Sequence, residues 1–315
     1  MRWMPCVVLW NSPAGVVVRV GDPLVDEYLV FMGSRARPNT VLAAAFDLKV
    51  FFTVVGKAPL QVRGSDVLGF IRAQQTGAGN VVRLDGSSGL ASSSIRRRLS
   101  SVSGFYAYVN VRDDTPLRSN PVPKGLLVRR EGRPKHAPLV RSVKKLPRVL
   151  APSEIDGLVG ALRTERDRAM VDAMVLGGLR RCEVLGLRLA DVRLGERRVF
   201  IAEGKGGRQR LIPMSSRFFA TLGRYLDIER PKGLVTDRVF VALKGQRRGL
   251  PLSPYGLDQI IESARGRAGL AHASCHELRH TCFTRLREAG MSLEALQAQA
   301  GRVDRNDPGV SASCR

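Results

Sequence analysis

Acidic residues are scarce in this chain. Against 51 Lys and Arg stand 28 Asp and Glu, which leaves a net charge of +23 over 315 residues. Such a surplus implies a polyanionic partner, because neutralising phosphates releases their counterions. The basic residues are spread through segments with folded patterning, so a mere basic tail does not account for them. Paired cysteines are also missing. Cys6, Cys182, Cys275, Cys282 and Cys314 form no CxxC and no disulfide-like spacing, which reads as free thiols in a reducing cytoplasm. Long apolar runs are absent too. Residues 1–20 are interrupted by Arg2, Pro5, Asn11, Pro13, Gly15 and Arg19, so they make neither a clean signal peptide nor a membrane span. No other run is expected to cross a bilayer, and no membrane partner is expected. Finally, no carboxylate cluster offers to hold Mg²⁺, and no cofactor is implied.

What is present is ordinary globular material in two parts. With 44% hydrophobic and 25% charged residues, a chain of this length predicts two domains with separate cores. Residues 1–21 are expected to be an irregular extension. From 22 to 115 the pattern is helical. Asp22-Pro23 opens one helix carrying Val25, Tyr28, Leu29 and Phe31, and a second follows Pro38. A third is predicted to begin at the N-cap signal Ser65-Asp66, and a fourth runs through Ile95, Leu99, Val102, Phe105 and Tyr106. Arg96, Arg97 and Arg98 lead that fourth helix as candidate contacts to DNA backbone.

Residues 116–145 read as a linker, since a crowd of prolines suppresses regular structure there. Ten Lys and Arg between Arg118 and Arg148, among them Arg129, Arg130, Lys144 and Lys145, face the single acid Glu131, as suits a basic strap on a duplex. The second domain, 146–315, opens on Ser153-Glu154-Ile155-Asp156, which fits a capping box. It is predicted to be mostly helical. Two short strands, 198–202 and 210–214, are joined by a glycine-bearing turn around Lys205.

Three pieces of this second domain share one chemistry. Gly177-Gly178-Leu179-Arg180 sets an Arg between two helices, and Lys205 sits at a turn whose glycines admit close approach. His276, Arg279 and His280 fall at i, i+3 and i+4 on one helix face. These are groups that grip phosphate and donate protons. Phosphoryl transfer without a metal needs cations for the oxygens, a general acid for the leaving group and a side-chain nucleophile. Each piece alone is a weak signal, and their order and spacing together are strong.

The stretches Gly178-Leu179-Arg180-Arg181-Cys182-Glu183-Val184-Leu185, Gly204-Lys205-Gly206 with Arg210-Leu211-Ile212-Pro213, and His276-Glu277-Leu278-Arg279-His280 resemble the tyrosine recombinase (phage integrase) family over roughly residues 146–301. The resemblance implies a mainly α protein with a small antiparallel β-sheet. Its parts would be a four-helix core-binding (SAM-like) domain and a tyrosine-recombinase catalytic domain. It further implies site-specific cutting and rejoining of double-stranded DNA through a 3′-phosphotyrosyl intermediate, without metal or ATP, and assembly of protomers on the DNA. Carried over by position, Arg180 and Arg279 would grip the phosphate, Lys205 would protonate the leaving oxygen, and His276 would be the motif's first histidine.

The sequence departs from that pattern at its end. The family continues with Gly-His or Gly-Trp and then a nucleophilic tyrosine. Here Arg302 follows Gly301, and the last tyrosine is Tyr255, which is expected to be structural. Ser311 and Ser313 are weak nucleophiles without a base. One codon choice for residues 303–313, read one base later, gives Ser-Ile-Glu-Thr-Thr-Arg-Val-Tyr-Leu-His, so a frameshift near Arg302 fits. The expectation is a recombinase by descent that binds DNA, does not cleave it, and oligomerises weakly without the family's C-terminal segment. The alternative is a DNA-binding remnant without catalysis. A zinc site of Cys275, His276, His280 and Cys282 is the least favoured reading, because Cys282 does not join the helix face of the two histidines.

Overall fold

The computed structural model describes residues 4–12, 15–76, 89–112, 117, 119–130, 133–141, 148–202 and 209–301. The chain divides into two compact units, residues 1–144 and 145–315, each with its own hydrophobic core.

The first unit begins with a hairpin of β1 (Val8–Ser12) and β2 (Gly15–Arg19), so 8–12 and 15–19 are strands rather than the irregular chain expected. Antiparallel pairing of Val8 with Arg19 through Ser12 with Gly15 satisfies the backbone there. Four helices follow: α1 (Pro23–Gly33), α2 (Pro38–Val55), α3 (Gly64–Thr76) and α4 (Ser92–Val111). Asp22 caps α1 by accepting from the backbone N–H of Leu24 at 3.0 Å and of Val25 at 3.2 Å. The start of α3 differs slightly from the sequence reading. Gly64 opens the helix, and Asp66 reaches back to the N–H of Arg63 at 2.8 Å. The core is aromatic, with Phe51, Phe52, Phe70, Phe105 and Tyr106 meeting edge to face at 4.9–5.8 Å between centroids.

By length and composition α2 is apolar enough to cross a membrane, which corrects the expectation that no such run exists. Its Val41, Ala45, Leu48, Phe51 and Phe52 are instead packed in the core of this unit. The linker reading is corrected as well. Within 116–145 lies a second hairpin, β3 (Leu126–Arg130) and β4 (Arg133–Ala137). Pro134 is tolerated in an isolated two-stranded ribbon because a strand with one open edge need not donate on that side.

The second unit is built around α6 (Glu165–Val175), whose Ala169, Met170, Val171, Ala173 and Met174 are fully buried. Its Arg166, Asp167 and Asp172 are buried as well, the first two as an ion pair at 2.7 Å and the third accepting from the Thr221 hydroxyl at 3.3 Å. The helix is preceded by α5 (Pro152–Gly160). There the expected capping box is only half right: Ala151 stands at the cap, and Glu154 accepts from its N–H at 2.8 Å. After α7 (Arg181–Gly186) comes a three-stranded antiparallel sheet in the order β5 (Val192–Arg193), β6 (Arg198–Ile201), β7 (Arg210–Pro213). β5 is not legible in the residue pattern, because two residues are too short to show alternation. Helices α8 (Ser216–Arg224), α9 (Pro254–Arg267), α10 (Cys275–Glu288) and α11 (Leu293–Ala300) complete the unit, with α8 and α10 packed on α6.

Phe105→Ala is expected to remove about 3–5 kcal/mol of stability, as for other large core aromatics. A lower urea midpoint for loss of helical circular dichroism in the full chain checks it. An unchanged midpoint would contradict the core described for the first unit.

Candidate functional site

The sharp turn out of α6 places the first arginine. The N–H of Gly178 returns to the carbonyl of Met174 at 3.1 Å and that of Leu179 to Ala173 at 3.2 Å, closing the helix. Gly178 takes a φ of +66°, and a Cβ there would stand 2.7 Å from the Phe283 ring. Only glycine meets both demands. Arg180 is then delivered as the N-cap of α7, and the carboxylate of Glu183 accepts from its backbone N–H at 2.8 Å and from its Nη1 at 2.7 Å.

Glu183 was quoted only as part of a motif in the sequence, yet it is the centre of the site. Its side chain is fully buried, and besides Arg180 it accepts from Arg210 Nη2 at 2.9 Å and lies 3.7 Å from Arg279 Nη1. Burial pushes its carboxyl up. The bonds from Arg210, from the Arg180 backbone and from the Arg180 side chain outweigh that and hold it below the usual carboxylate value. One buried anion thus gathers guanidiniums from α7, β7 and α10.

The same three arginines share a second acceptor, the C-terminal end of α11. The carbonyl of Ala300 accepts from Arg180 Nη2 at 2.8 Å and Arg279 Nη2 at 2.9 Å, and that of Gln299 accepts from Arg210 Nε at 3.0 Å. Carbonyls left over at a helix end are natural partners for cations. Arg279 also donates from Nη1 to the carbonyl of Gly178, and its guanidinium lies 4.7 Å from the centre of the Phe283 ring.

The face predicted for His276, Arg279 and His280 is divided in the structure. Arg279 is buried and turns into the cluster, while His276 stays exposed. The two imidazoles pair with each other, Nε2 to Nε2 at 2.8 Å, so one ring donates to the bare nitrogen of the other. Neither thiol joins them. Cys275 bonds to Asp258 at 3.7 Å, and burial with the Asp258 charge pushes its thiol up to about 12. Cys282 is buried close to Gly178, and burial pushes its thiol up to about 12 as well. Among the described residues no group of three His, Cys, Asp or Glu is placed to hold a metal.

The remaining sequence candidates are dispersed. Lys205, Lys144 and Lys145 fall outside the described residues, as does everything after Gly301. Arg129 and Arg130 lie on β3. In the first unit Arg97 Nη1 and Ser101 hold the buried Asp47, and Arg98 donates to Gln74. The Arg97 side chain stays 55% exposed but that of Arg98 only 18%, so Arg98 serves the packing of α4 rather than an outer basic face. Tyr255, expected to be structural, is 73% exposed on the first turn of α9 and supports no core. Arg210 belongs to a stretch that carries the resemblance, but no role attaches to it in the sequence, where an Arg opening a strand carries no signal of its own.

Comparison with known proteins places these elements in context. Residues 148–306 match the model of the phage integrase family. The chain is 35% identical over 177 residues to tyrosine recombinase XerC 2 of Ralstonia nicotianae, across 55% of this chain and about half (49%) of that protein. It is 30% identical over 292 residues to tyrosine recombinase XerC of Halalkalibacterium halodurans, covering 89% of each. In three dimensions it resembles a lambda integrase dimer bound to a COC′ core site, with a TM-score of 0.64, 16% identity, and coverage of 89% of this chain and 94% of that one.

Glu183→Gln leaves three guanidiniums around a neutral group and is expected to cost about 3 kcal/mol or more. The carboxyl is held below its ordinary value of 4.5, so its contribution is present above that pH and is lost as pH falls through the depressed value. The gap in melting temperature between wild type and variant should therefore be constant from neutrality down to about pH 5 and close below that. A gap that widens in acid would contradict the arrangement.

Proposed function

Because the chain belongs to the phage integrase family, as the match over residues 148–306 shows, we propose that its second unit grips the phosphodiester of duplex DNA in the manner of a site-specific recombinase. The observation that carries this reading is the convergence of Arg180 and Arg279, 99 positions apart in the chain, on one oxygen at 2.8 and 2.9 Å. That oxygen is the carbonyl of Ala300 here, and a non-bridging phosphate oxygen is an acceptor of the same kind with more charge. Glu183 holds both guanidiniums to the task, so little side-chain freedom remains to be lost when a phosphate arrives.

The roles follow from the chemistry of each group. Arg180 and Arg279 neutralise the phosphate oxygens and stabilise the added charge of a pentacoordinate phosphorus. His276 donates a hydrogen bond to one of those oxygens, with His280 supplying or taking the proton of the shared contact. Lys205 protonates the leaving 5′-oxygen. In strand cleavage a tyrosine oxygen bonds to phosphorus as the bond to that 5′-oxygen breaks, leaving a 3′-phosphotyrosine. The surplus of basic residues in both units supports a duplex as substrate. Assembly of protomers on DNA is part of the proposal, supported by the dimeric lambda integrase.

Arg302 follows Gly301, and Ser311 stands near the register where the family pattern carries its tyrosine. This observation favours a narrower second reading, in which the polypeptide occupies DNA without forming the covalent intermediate.

Two measurements test these readings. Arg180→Ala and Arg279→Ala should each lower the slope of log Kobs against log salt for an arbitrary duplex by about 0.9, one phosphate contact apiece. Unchanged slopes in both variants would sink the phosphate grip. On a nicked duplex, denaturing electrophoresis of the 315-residue chain should reveal no covalent protein–DNA adduct. A retained adduct overturns the narrower reading and calls for Tyr255→Phe to identify the nucleophile.

A further inference from the structure

Arg210 is nine-tenths buried, yet one of its nitrogens is unused. Nε is bonded to the carbonyl of Gln299 and Nη2 to Glu183, whereas Nη1 is buried with no hydrogen-bond partner among the described residues. A buried donor on a charged group left without an acceptor is costly, so such a group is retained for a reason. The surroundings of Nη1 suggest one. It faces Gly301, the left-handed C-cap of α11 (φ +65°), at the point where any other residue would carry its Cβ. A Cβ there would stand 3.2 Å from Arg210 Nη1 and 3.6 Å from Arg180 Nη1. The position of the missing Cβ thus lies within 3.6 Å of two guanidinium nitrogens.

We propose that Arg210 is a third phosphate-binding arginine, and that the space over Gly301 receives a phosphate oxygen held jointly by Arg210 Nη1 and Arg180 Nη1. This rests on the phosphate-grip reading above and adds to it a residue and a place. The alternatives are weaker. Water there would satisfy Nη1, but two guanidinium nitrogens within 3.6 Å of one point favour an anionic oxygen. A purely structural arginine needs only the two bonds already made to Glu183 and Gln299. The three guanidiniums outnumber the one carboxylate among them, so the cluster carries unbalanced positive charge that a phosphodiester neutralises. Arg210 also opens β7, five positions after Lys205 in the chain, so a phosphate held by Arg210 is held close in sequence to the proposed proton donor.

The experiment is the salt dependence of binding to an arbitrary duplex, measured by fluorescence anisotropy on the full chain. Arg210→Met keeps the apolar stem and removes the charge. It should lower the slope of log Kobs against log salt by about 0.9, and the Arg180→Ala/Arg210→Met double variant by about twice that. Arg210→Lys, which keeps a cation in place, should preserve the wild-type slope, and thermal melts show which variants are folded. Should Arg210→Met unfold, the lysine variant still decides: a slope lowered by a full contact despite an intact fold overturns the proposal. So does an unchanged slope in Arg210→Met, or a loss in that single variant as large as in the double, which would mean that Arg210 only positions Arg180. If Arg180→Ala and Arg279→Ala lower the slope and Arg210→Met does not, the third arginine is wrong and the grip stands. If none of them does, the grip itself has failed.

Discussion

The second unit depends on one buried carboxylate. Three guanidiniums from α7, β7 and α10 repel one another and have no reason to converge unless an anion is fixed between them. Glu183 is that anion, and the turn at Gly177-Gly178 fixes it. Gly178 ends α6 in a left-handed conformation, Arg180 caps the next helix, and the helical spacing that makes Glu183 the third residue of α7 brings its oxygens back to the Arg180 N–H. Two further elements are then recruited by charge, β7 through Arg210 and α10 through Arg279. The site is therefore a by-product of how one helix stops and the next begins.

The arrangement also explains how so basic a cluster survives before any ligand arrives. A lone carboxylate does not neutralise three cations, and the remainder is spread over oxygens without formal charge. The ends of helix dipoles and free carbonyls perform this service: Gly178 for Arg279, Ala300 for Arg180 and Arg279, Gln299 for Arg210. Each such bond is weaker than an ion pair and is readily exchanged for a phosphate oxygen. A site satisfied in this way is ordered without being saturated, which is what differential binding of an anion requires.

Much of this was legible from residue order, because helix caps and turns are local. Asp22-Pro23, Pro38 and the glycine turn announced their elements by chemistry acting over a few residues, and the strands around Lys205 were placed to within a residue or two. What could not be read depends on separation. Nothing near Glu183 shows that Arg210, 27 positions on, and Arg279, 96 positions on, are its partners. Arg98 illustrates the converse error. In an arginine triplet it looked like surface charge, and only the fold reveals Asp47, some 50 positions earlier, buried beside it. Composition misled where tertiary pairing overrode it, as in the proline-rich stretch that nonetheless forms the β3–β4 hairpin.

The contact between the arginines and α11 has a mechanical consequence. The oxygens that hold the guanidiniums are the last two carbonyls of that helix, and Gly301 stands where the chain leaves it. Phosphate binding and the seating of α11 therefore draw on the same donors. A phosphate oxygen that takes over an N–H from Ala300 loosens the end of α11, whereas one that enters the space over Gly301 leaves both carbonyl contacts intact. The two outcomes have opposite linkage: the first makes the ligand and the docked helix compete, and the second makes each strengthen the other. Because Arg210 Nη1 is the donor without an acceptor, filling the space over Gly301 gains a bond without breaking one. On the proposed grip, binding energy therefore favours the cooperative arrangement, with α11 held in place while a phosphate is bound.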